Sequence, residues 1–294
     1  MPETMLSRVD FHMHSVYSDG TDDLGALLDK IKASGIRVFS LTDHDTMDGA
    51  VKLEKMISPD SGIRFFRGIE FSTICSLGKI HILGYDYDPR DKTFNALVQE
   101  SLDLRMQKMN LRLRNLKDRY GITFSDEELA WLWAQPRPGK PHLAQLLIRN
   151  ALVSSVQEAM DRYLKGISGD TPSFSPERAI DAIRSSGGIS VWAHPFWEIK
   201  GRFYSKEKVQ TQFVRLQNAG IDGIECFYSQ YGREQTVFLT SLADRESLLV
   251  SGGSDYHGKR KRQTIGELND AGFPVPEQQL TILEALEKRH RQLS

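Results

Sequence analysis

The chain has 294 residues, with 38 Lys and Arg against 39 Asp and Glu, and 39% of it is hydrophobic. That length holds one large α/β domain or two smaller ones around a sizeable core, and the balanced charge gives no global field for nucleic acid or a membrane surface. No stretch reaches membrane-spanning length, the segment Met1 to Arg8 has no apolar signal core, and Cys75 and Cys226, distant and each in or beside an apolar run, read as buried thiols; a cytoplasmic protein with no membrane association is expected.

Residues 8–89 alternate strand and helix. A strand at 8–12 leads through a loop to a helix from Asp23 to Ser34, with Leu24, Leu27, Leu28 and Ile31 on one face and Gly35 as its stop. A strand at 36–41 follows, then a short helix near 46–57 that Thr46 could cap, a strand at 63–69 and another at His81–Tyr87. Residues 90–172 differ: Leu97, Leu104, Leu111, Leu113 and Leu116 punctuate a long helical stretch studded with Arg105, Lys108, Arg112, Arg114, Lys117 and Arg119. Gly121 breaks it, and Ser125-Asp126-Glu127-Glu128 has the form of a helix start. A rigid loop from Gln135 to His142 precedes further helix to about Leu164. The basic residues of this region read as a solvated helix face, with a binding surface as the alternative.

The α/β pattern resumes with a helix at 176–185 and strand 188–193, a helix near 206–219 and strand 221–227, a helix at 232–245 and strand 248–252, and a terminal helix over 277–291. Roughly seven strand–helix units fit a parallel barrel, whose chemistry gathers at the carboxyl ends of its strands. The expected architecture is an α/β barrel over 8–89 and 173–275, a helical insertion over 90–172, and a C-terminal helix in 276–294.

Of eight histidines, six sit just after, or at the end of, an apolar run. His12 and His14 alternate along a strand end and so project to one side, with Asp19 close behind. His44 stands in Thr42-Asp43-His44-Asp45, Glu70 follows Phe65-Phe66, and His81 opens Ile82-Leu83-Gly84-Tyr85. His194 stands in Ala193-His194-Pro195, and Asp255 and His257 in Ser254-Asp255-Tyr256-His257. Six imidazoles with Asp19, Glu70 and Asp255 exceed the three or four protein ligands of one ion and fit two or three divalent ions of manganese, iron or zinc type. Closely spaced metals clamp the attacking and leaving oxygens of a phosphoryl group around a bridging hydroxide, which favours a phosphoester as substrate. No Gly-x-Ser-x-Gly elbow, Walker loop or dinucleotide turn is present.

These motifs, in this order, resemble the PHP superfamily, named for polymerase and histidinol phosphatase, from about residue 8 to 270. The resemblance implies a distorted (β/α)7 barrel with a three-metal site. His12, His14, Glu70 and Asp255 would hold one ion; Glu70, His81 and His194 a second; Asp19, His44 and His257 a third. Asp43 would orient a ligand or carry a proton. The insertion and its Arg137-Pro138-Gly139-Lys140-Pro141-His142 loop resemble the stand-alone phosphoesterase branch. Members of that branch remove the 3′-phosphate of nucleoside 3′,5′-bisphosphates or trim short 5′-phosphorylated oligonucleotides. In them the insertion is a lid, which implies phosphate contacts for Arg137 and His142, with Lys140 beside them. His142 also fits a helix-start residue making a local hydrogen bond, and Asp43, His142 or water could protonate the leaving oxygen. Two departures bear on the substrate: Phe196-Trp197-Glu198 is bulky where smaller or more polar residues are expected, and Lys259-Arg260-Lys261-Arg262 is either a solvated loop or a phosphate-binding run. The alternatives are a histidinol-phosphate phosphatase and a non-catalytic metal-binding accessory module. The expected partner is a nucleotide or short oligonucleotide, with no obligate protein partner.

Overall fold

In the computed structural model of the chain, residues 8–164, 173–196, 198–199 and 202–293 are described; residues 1–7 and Trp197 lie outside them. The chain forms two compact units, one holding the residues up to Leu97 and from Phe174 onward, the other Val98–Ser173. The first unit runs β1 (Val9–Asp10), α1 (Leu24–Ala33), β2 (Val38–Leu41), α2 (Asp48–Glu54), β3 (Arg64–Cys75), β4 (Gly78–Tyr85) and the start of α3 (Lys92–Tyr120). The second continues α3 and adds α4 (Asp126–Trp133), α5 (Lys140–Arg149) and α6 (Val156–Ala159), the last passing into a π-helical turn at Met160–Leu164. The first unit resumes with α7 (Pro176–Ser185), β5 (Ile189–Ala193), a small hairpin of β6 (Glu198–Ile199) and β7 (Arg202–Phe203), α8 (Lys206–Asn218), β8 (Gly223–Tyr228), α9 (Arg233–Glu246), β9 (Leu249–Gly253) and α10 (Ile282–Leu293).

Seven strands pair in the order β1-β2-β3-β4-β5-β8-β9. The expectation of seven parallel strand–helix units is corrected here, because β4 runs antiparallel to both β3 and β5. The strand carrying Glu70 continues to Cys75 and turns back through Ser76-Leu77, with Gly78 at φ 109°. Two residues cannot make a parallel crossover, which takes a dozen or more. The reversal also explains His81: it lies near the start of β4, opposite Ser72 of β3 and Ala193 of β5, so the beginning of this strand meets the carboxyl ends of its two antiparallel neighbours.

The barrel closes between β9 and β1. Phe11 N donates to Gly252 O (3.1 Å), Asp255 N to His12 O (2.8 Å) and His14 N to Tyr256 O (2.8 Å). The buried Asp10 carboxylate accepts from Ser254 N (3.0 Å) and Gly266 N (2.8 Å), fastening both sides of the seam. β2, β5 and β8 are buried along their whole length, as strands covered on both faces should be. The predicted face of α1 packs Leu24, Leu27, Leu28 and Ile31 against Met13, Phe39 and Leu41.

Other boundaries shift locally. Asp23 caps α1 by accepting from Ala26 N (2.9 Å), and Ser34 ends it before Gly35 at φ 73°. Thr46 Oγ1 accepts from Asp48 N (3.2 Å), but the residue at the cap position is Met47. The terminal helix begins at Ile282, after a 3-10 turn at Glu277–Gln279, five residues later than its periodicity predicts. In the second unit Ser125 and Glu128 form the capping box that the sequence signals. Met109, Leu116, Leu132, Leu143, Leu146 and Leu147 build a separate core there. Arg114, Lys117 and Arg119 of α3 are exposed, whereas Arg105, Lys108 and Arg112 are half-buried; burial, aided by the charge of Arg105, pushes Arg112 down to about 10.

Closure leaves no room for a side chain at Gly253, where a Cβ would stand 2.2 Å from His12 Cβ and 2.6 Å from His12 N. Gly253→Ala should therefore cost about 1–3 kcal/mol of stability, measured by thermal unfolding; an unchanged melting temperature would contradict this account of the seam.

Candidate active site

Glu70 is fully buried on β3, at the centre of the barrel's imidazoles. Its Oε2 lies 3.2 Å from His12 Nε2, 3.1 Å from His14 Nε2 and 3.2 Å from His44 Nδ1. Its Oε1 lies 2.7 Å from His81 Nδ1 and 2.9 Å from His194 Nε2. Asp255 Oδ1 approaches the same two nitrogens of the His-x-His pair, 3.2 Å from His14 and 3.6 Å from His12. Asp19 Oδ1 lies 3.1 Å from His257 Nε2 and 3.9 Å from His14 Nδ1. The sequence's metal-ligand candidates thus converge from six separate motif blocks.

Three overlapping sets of donor atoms are close enough to share an ion: His12, His14, Glu70 and Asp255; His14, Asp19, His44 and His257; and His44, Glu70 and His81, each set within 4.8 Å. His194 falls in none of the three, although it touches Glu70. The donors are imidazole nitrogens and carboxylate oxygens, the mixture that manganese, iron and zinc accept. His14 Nε2 lies between Glu70 Oε2 (3.1 Å) and Asp255 Oδ1 (3.2 Å), and Asp19 Oδ1 faces His257 Nε2 (3.1 Å), a crowding of buried carboxylate oxygens and ring nitrogens that a coordinated cation would relieve. The residues present therefore fit a divalent metal centre.

The electrostatics describe the same demand for positive charge. Burial would raise Glu70, but His44, His12 and His81 hold its carboxyl well below the usual range. Burial likewise opposes ionisation of Asp255 and Asp19, yet Lys261 and His257 keep the first low, and His257 and His44 the second. Burial resists a charge on His14, but hydrogen bonds to Asp255 and Glu70 carry it up to about 9. His44 goes the other way, pushed down to about 4 by burial against the pull of Glu70 and Asp19.

The local backbone is strained where ligand candidates leave their strands. His194 sits at φ 29° and Asp255 at φ 54°, conformations that cost non-glycine residues about 1–3 kcal/mol and cluster at functional sites. Asp45, at φ 58°, accepts from Ser72 N (2.9 Å) through its side chain, and its N–H donates to Glu70 O (2.9 Å). That contact fixes His44 against the strand of Glu70.

Asp43 lies beside the donor sets and not among them. Its carboxylate accepts from Ser15 N (2.8 Å), Ser15 Oγ (2.6 Å) and Ser18 Oγ (2.5 Å), so it shapes the loop between His14 and Asp19. Burial raises its pKa. Arg137, Lys140 and His142 belong to the second unit. Arg137 is buried before α5, Lys140 opens that helix, and His142 Nδ1 accepts from Gly139 N (3.0 Å), the local helix-start bond.

Residues outside the sequence candidates complete the site. Glu225, buried on β8, accepts from His12 Nδ1 (2.9 Å) and from His194 N (2.7 Å). It thereby sets the His12 tautomer with Nε2 facing Glu70, and clamps the strained backbone of His194. Tyr228 OH donates to Asp255 Oδ2 (2.8 Å). The signal for Glu225 was present: an acid inside the apolar strand Ile224-Glu225-Cys226-Phe227 needs a buried partner. A pocket of about 220 Å³ opens over the donors, lined by His44, Glu70, His81, His194, Phe196, Tyr228, Gln230, Asp255 and Lys261. Cys226 is buried and Cys75 half-buried, both as free thiols.

Comparison with known proteins agrees with this geometry. Residues 10–170 match the family model of the PHP domain. A 5′-3′ exoribonuclease of Haemophilus influenzae is 29% identical, over 86% of this chain and 91% of the relative. A 3′,5′-nucleoside bisphosphate phosphatase of Chromobacterium violaceum is 25% identical, over 86% and 88%. A phosphoribosyl 1,2-cyclic phosphate 1,2-diphosphodiesterase of Eggerthella lenta is 28% identical, over 91% and 98%. A solved chain from Bifidobacterium adolescentis, assigned as a metal-dependent phosphoesterase, aligns with a TM-score of 0.74 at 28% identity, covering 90% of this chain and 93% of that one. The chain belongs to the PHP family.

Removing the charge that orients a ligand should weaken the site without opening the fold. Glu225→Gln is expected to lower manganese affinity about 10–100-fold with little change in melting temperature, read by isothermal titration; wild-type affinity would refute the tautomer-setting role.

Proposed function

We propose that this chain is a metal-dependent phosphoesterase acting on nucleotides, removing the 3′-phosphate of nucleoside 3′,5′-bisphosphates and trimming short 5′-phosphorylated oligonucleotides. At the level of reaction class it is a PHP-family hydrolase of phosphate esters. The observation that carries the reading is the set of three donor groups joined through His14, His44 and Glu70 beneath one pocket. The finer substrate assignment draws on what the exoribonuclease and bisphosphate phosphatase relatives are named for.

Two or three divalent ions would be held by His12, His14, Glu70 and Asp255; by Glu70, His81, His44 and His194; and by Asp19, His44 and His257. When bound, they supply Lewis acidity for phosphoryl oxygens and lower the pKa of water to near neutrality. The chain's own part is positional. Glu70, with both oxygens engaged by imidazoles, keeps the donor groups within one shared centre. Glu225 holds His12 and His194 in place, and Asp43 holds the loop that presents Asp19. The pocket volume of about 220 Å³ falls below the roughly 300–1,000 Å³ of sites that enclose a whole drug-sized ligand. It has room for a phosphate and its attached sugar. The proposal extends to Arg137, Lys140 and His142 as phosphate contacts, on the strength of their motif alone.

The test is phosphate release from adenosine 3′,5′-bisphosphate by manganese-loaded protein, beside a chelated control. A 5′-phosphorylated oligoribonucleotide, histidinol phosphate and a ribose 1,2-cyclic phosphate serve as competing substrates. Metal-dependent release yielding 5′-AMP, or nucleotide release from the oligomer, supports the proposal. Turnover of neither by protein confirmed to carry its metals sinks the nucleotide assignment. His14→Ala should lose metal and activity together, by at least about a thousandfold in turnover if it helps hold the charge that stabilises the transition state; full turnover in that variant would remove the site assignment.

A further inference from the structure

The basic run after the last histidine motif divides between two tasks. Lys259, Lys261 and Arg262 are all exposed. Arg260 places Nη1 on the backbone carbonyl of Asp19 (2.5 Å), and Lys259 N donates to Thr21 Oγ1 (2.9 Å), so this half ties down the loop that carries Asp19. Lys261 turns inward. Its Nζ donates to Asp255 Oδ2 (2.7 Å) and it lines the pocket beside Phe196, Tyr228 and Gln230.

Asp255 divides its two oxygens accordingly. Oδ1 faces the imidazoles of His14 and His12, while Oδ2 accepts from Lys261 and from Tyr228 OH. An ammonium has three donors; Asp255 takes one, and 35% of the lysine side chain stays exposed for a ligand to reach. Glu70 and Asp255 also line this pocket, so an incoming phosphate dianion meets carboxylates of like charge. Among the described residues, Lys261 is the one Lys or Arg in the lining. A lysine suits the place because its compact charge and rotatable donors can hold Asp255 and a phosphate oxygen together, where a planar guanidinium would commit to one of them.

We propose that Lys261 is a substrate-binding residue, anchored on Asp255 and donating to a non-bridging oxygen of the phosphate that enters the pocket. The inference rests on the phosphoesterase reading and adds to it a phosphate contact from the chain itself.

The experiment titrates inorganic phosphate into manganese-loaded full-length protein by calorimetry, with metal content measured on the same samples. Steady-state kinetics on adenosine 3′,5′-bisphosphate run in parallel. Lys261→Met should keep its metals and bind phosphate about 10–100-fold more weakly, as expected for one charge-assisted hydrogen bond, with KM raised more than kcat is lowered. Lys261→Arg should recover part of the loss, and Lys259→Met should match wild type. Phosphate binding by metal-loaded Lys261→Met as tight as wild type overturns the proposal. So does loss of metal in that variant, which would make Lys261 a support for Asp255, and so does an equal loss in Lys259→Met, which would make the effect one of general charge. Binding is read apart from turnover: a metal-loaded wild type that binds phosphate but hydrolyses none of the four esters sinks the phosphoesterase reading and leaves the Lys261 contact to be judged by the titration alone.

Discussion

One carboxylate, Glu70, sets the terms for the rest of the barrel. Five imidazoles lie within 3.2 Å of its two oxygens. A buried carboxylate without cations is expensive, so each of these histidines must be delivered accurately, and the fold is organised to deliver them. β3 carries Glu70 itself, β4 returns His81 to it, and β5 brings His194 from the far side. The seam between β1 and β9 then sets His12, His14 and Asp255 against one another through direct backbone hydrogen bonds. Closing the barrel and assembling the centre are one structural event.

That coupling accounts for where the backbone is strained. His194 and Asp255 both adopt positive φ just beyond their strands, and both are held there by contacts belonging to the site. Glu225 accepts from His194 N, while Lys261 and Tyr228 secure the Asp255 carboxylate. Strain of this kind persists where the surroundings over-determine a conformation. The surrounding shell of Glu225, Asp43, Ser15, Ser18 and Tyr228 therefore matters to the chemistry without supplying the donor atoms of the three sets. Glu225 sets which nitrogen of His12 faces inward, and the Asp43 contacts keep the loop after His14 from relaxing.

Much of this was legible in the sequence because histidines and acids at strand ends are conspicuous. His12, His14, Asp19, His44, Glu70, His81, Asp255 and His257 meet in the predicted place, and His194 touches Glu70 beside them. The α1 face and the Ser125–Glu128 capping box could also be read directly, since both depend on local periodicity. Strand direction was not legible. An apolar run has no polarity of its own, and the antiparallel return of β4 depends on how far β3 extends past Glu70, which its half-exposed end residues obscure. Glu225 was hidden for a different reason. A single acid within a strand is ambiguous until its partners, 213 residues away at His12 and 31 residues away at His194, are seen. The basic run from Lys259 to Arg262 could not be apportioned from sequence either, since adjacent residues with the same charge turn to opposite tasks.

Anomalous diffraction from crystals of the protein soaked in manganese locates each ion without reference to activity and so tests the place of Glu70 directly. Two or three peaks clustered around Glu70 are expected, with Asp255 and Asp19 among the residues that hold them. A single peak remote from Glu70, or full occupancy that leaves Glu70 uncoordinated, would contradict that placement.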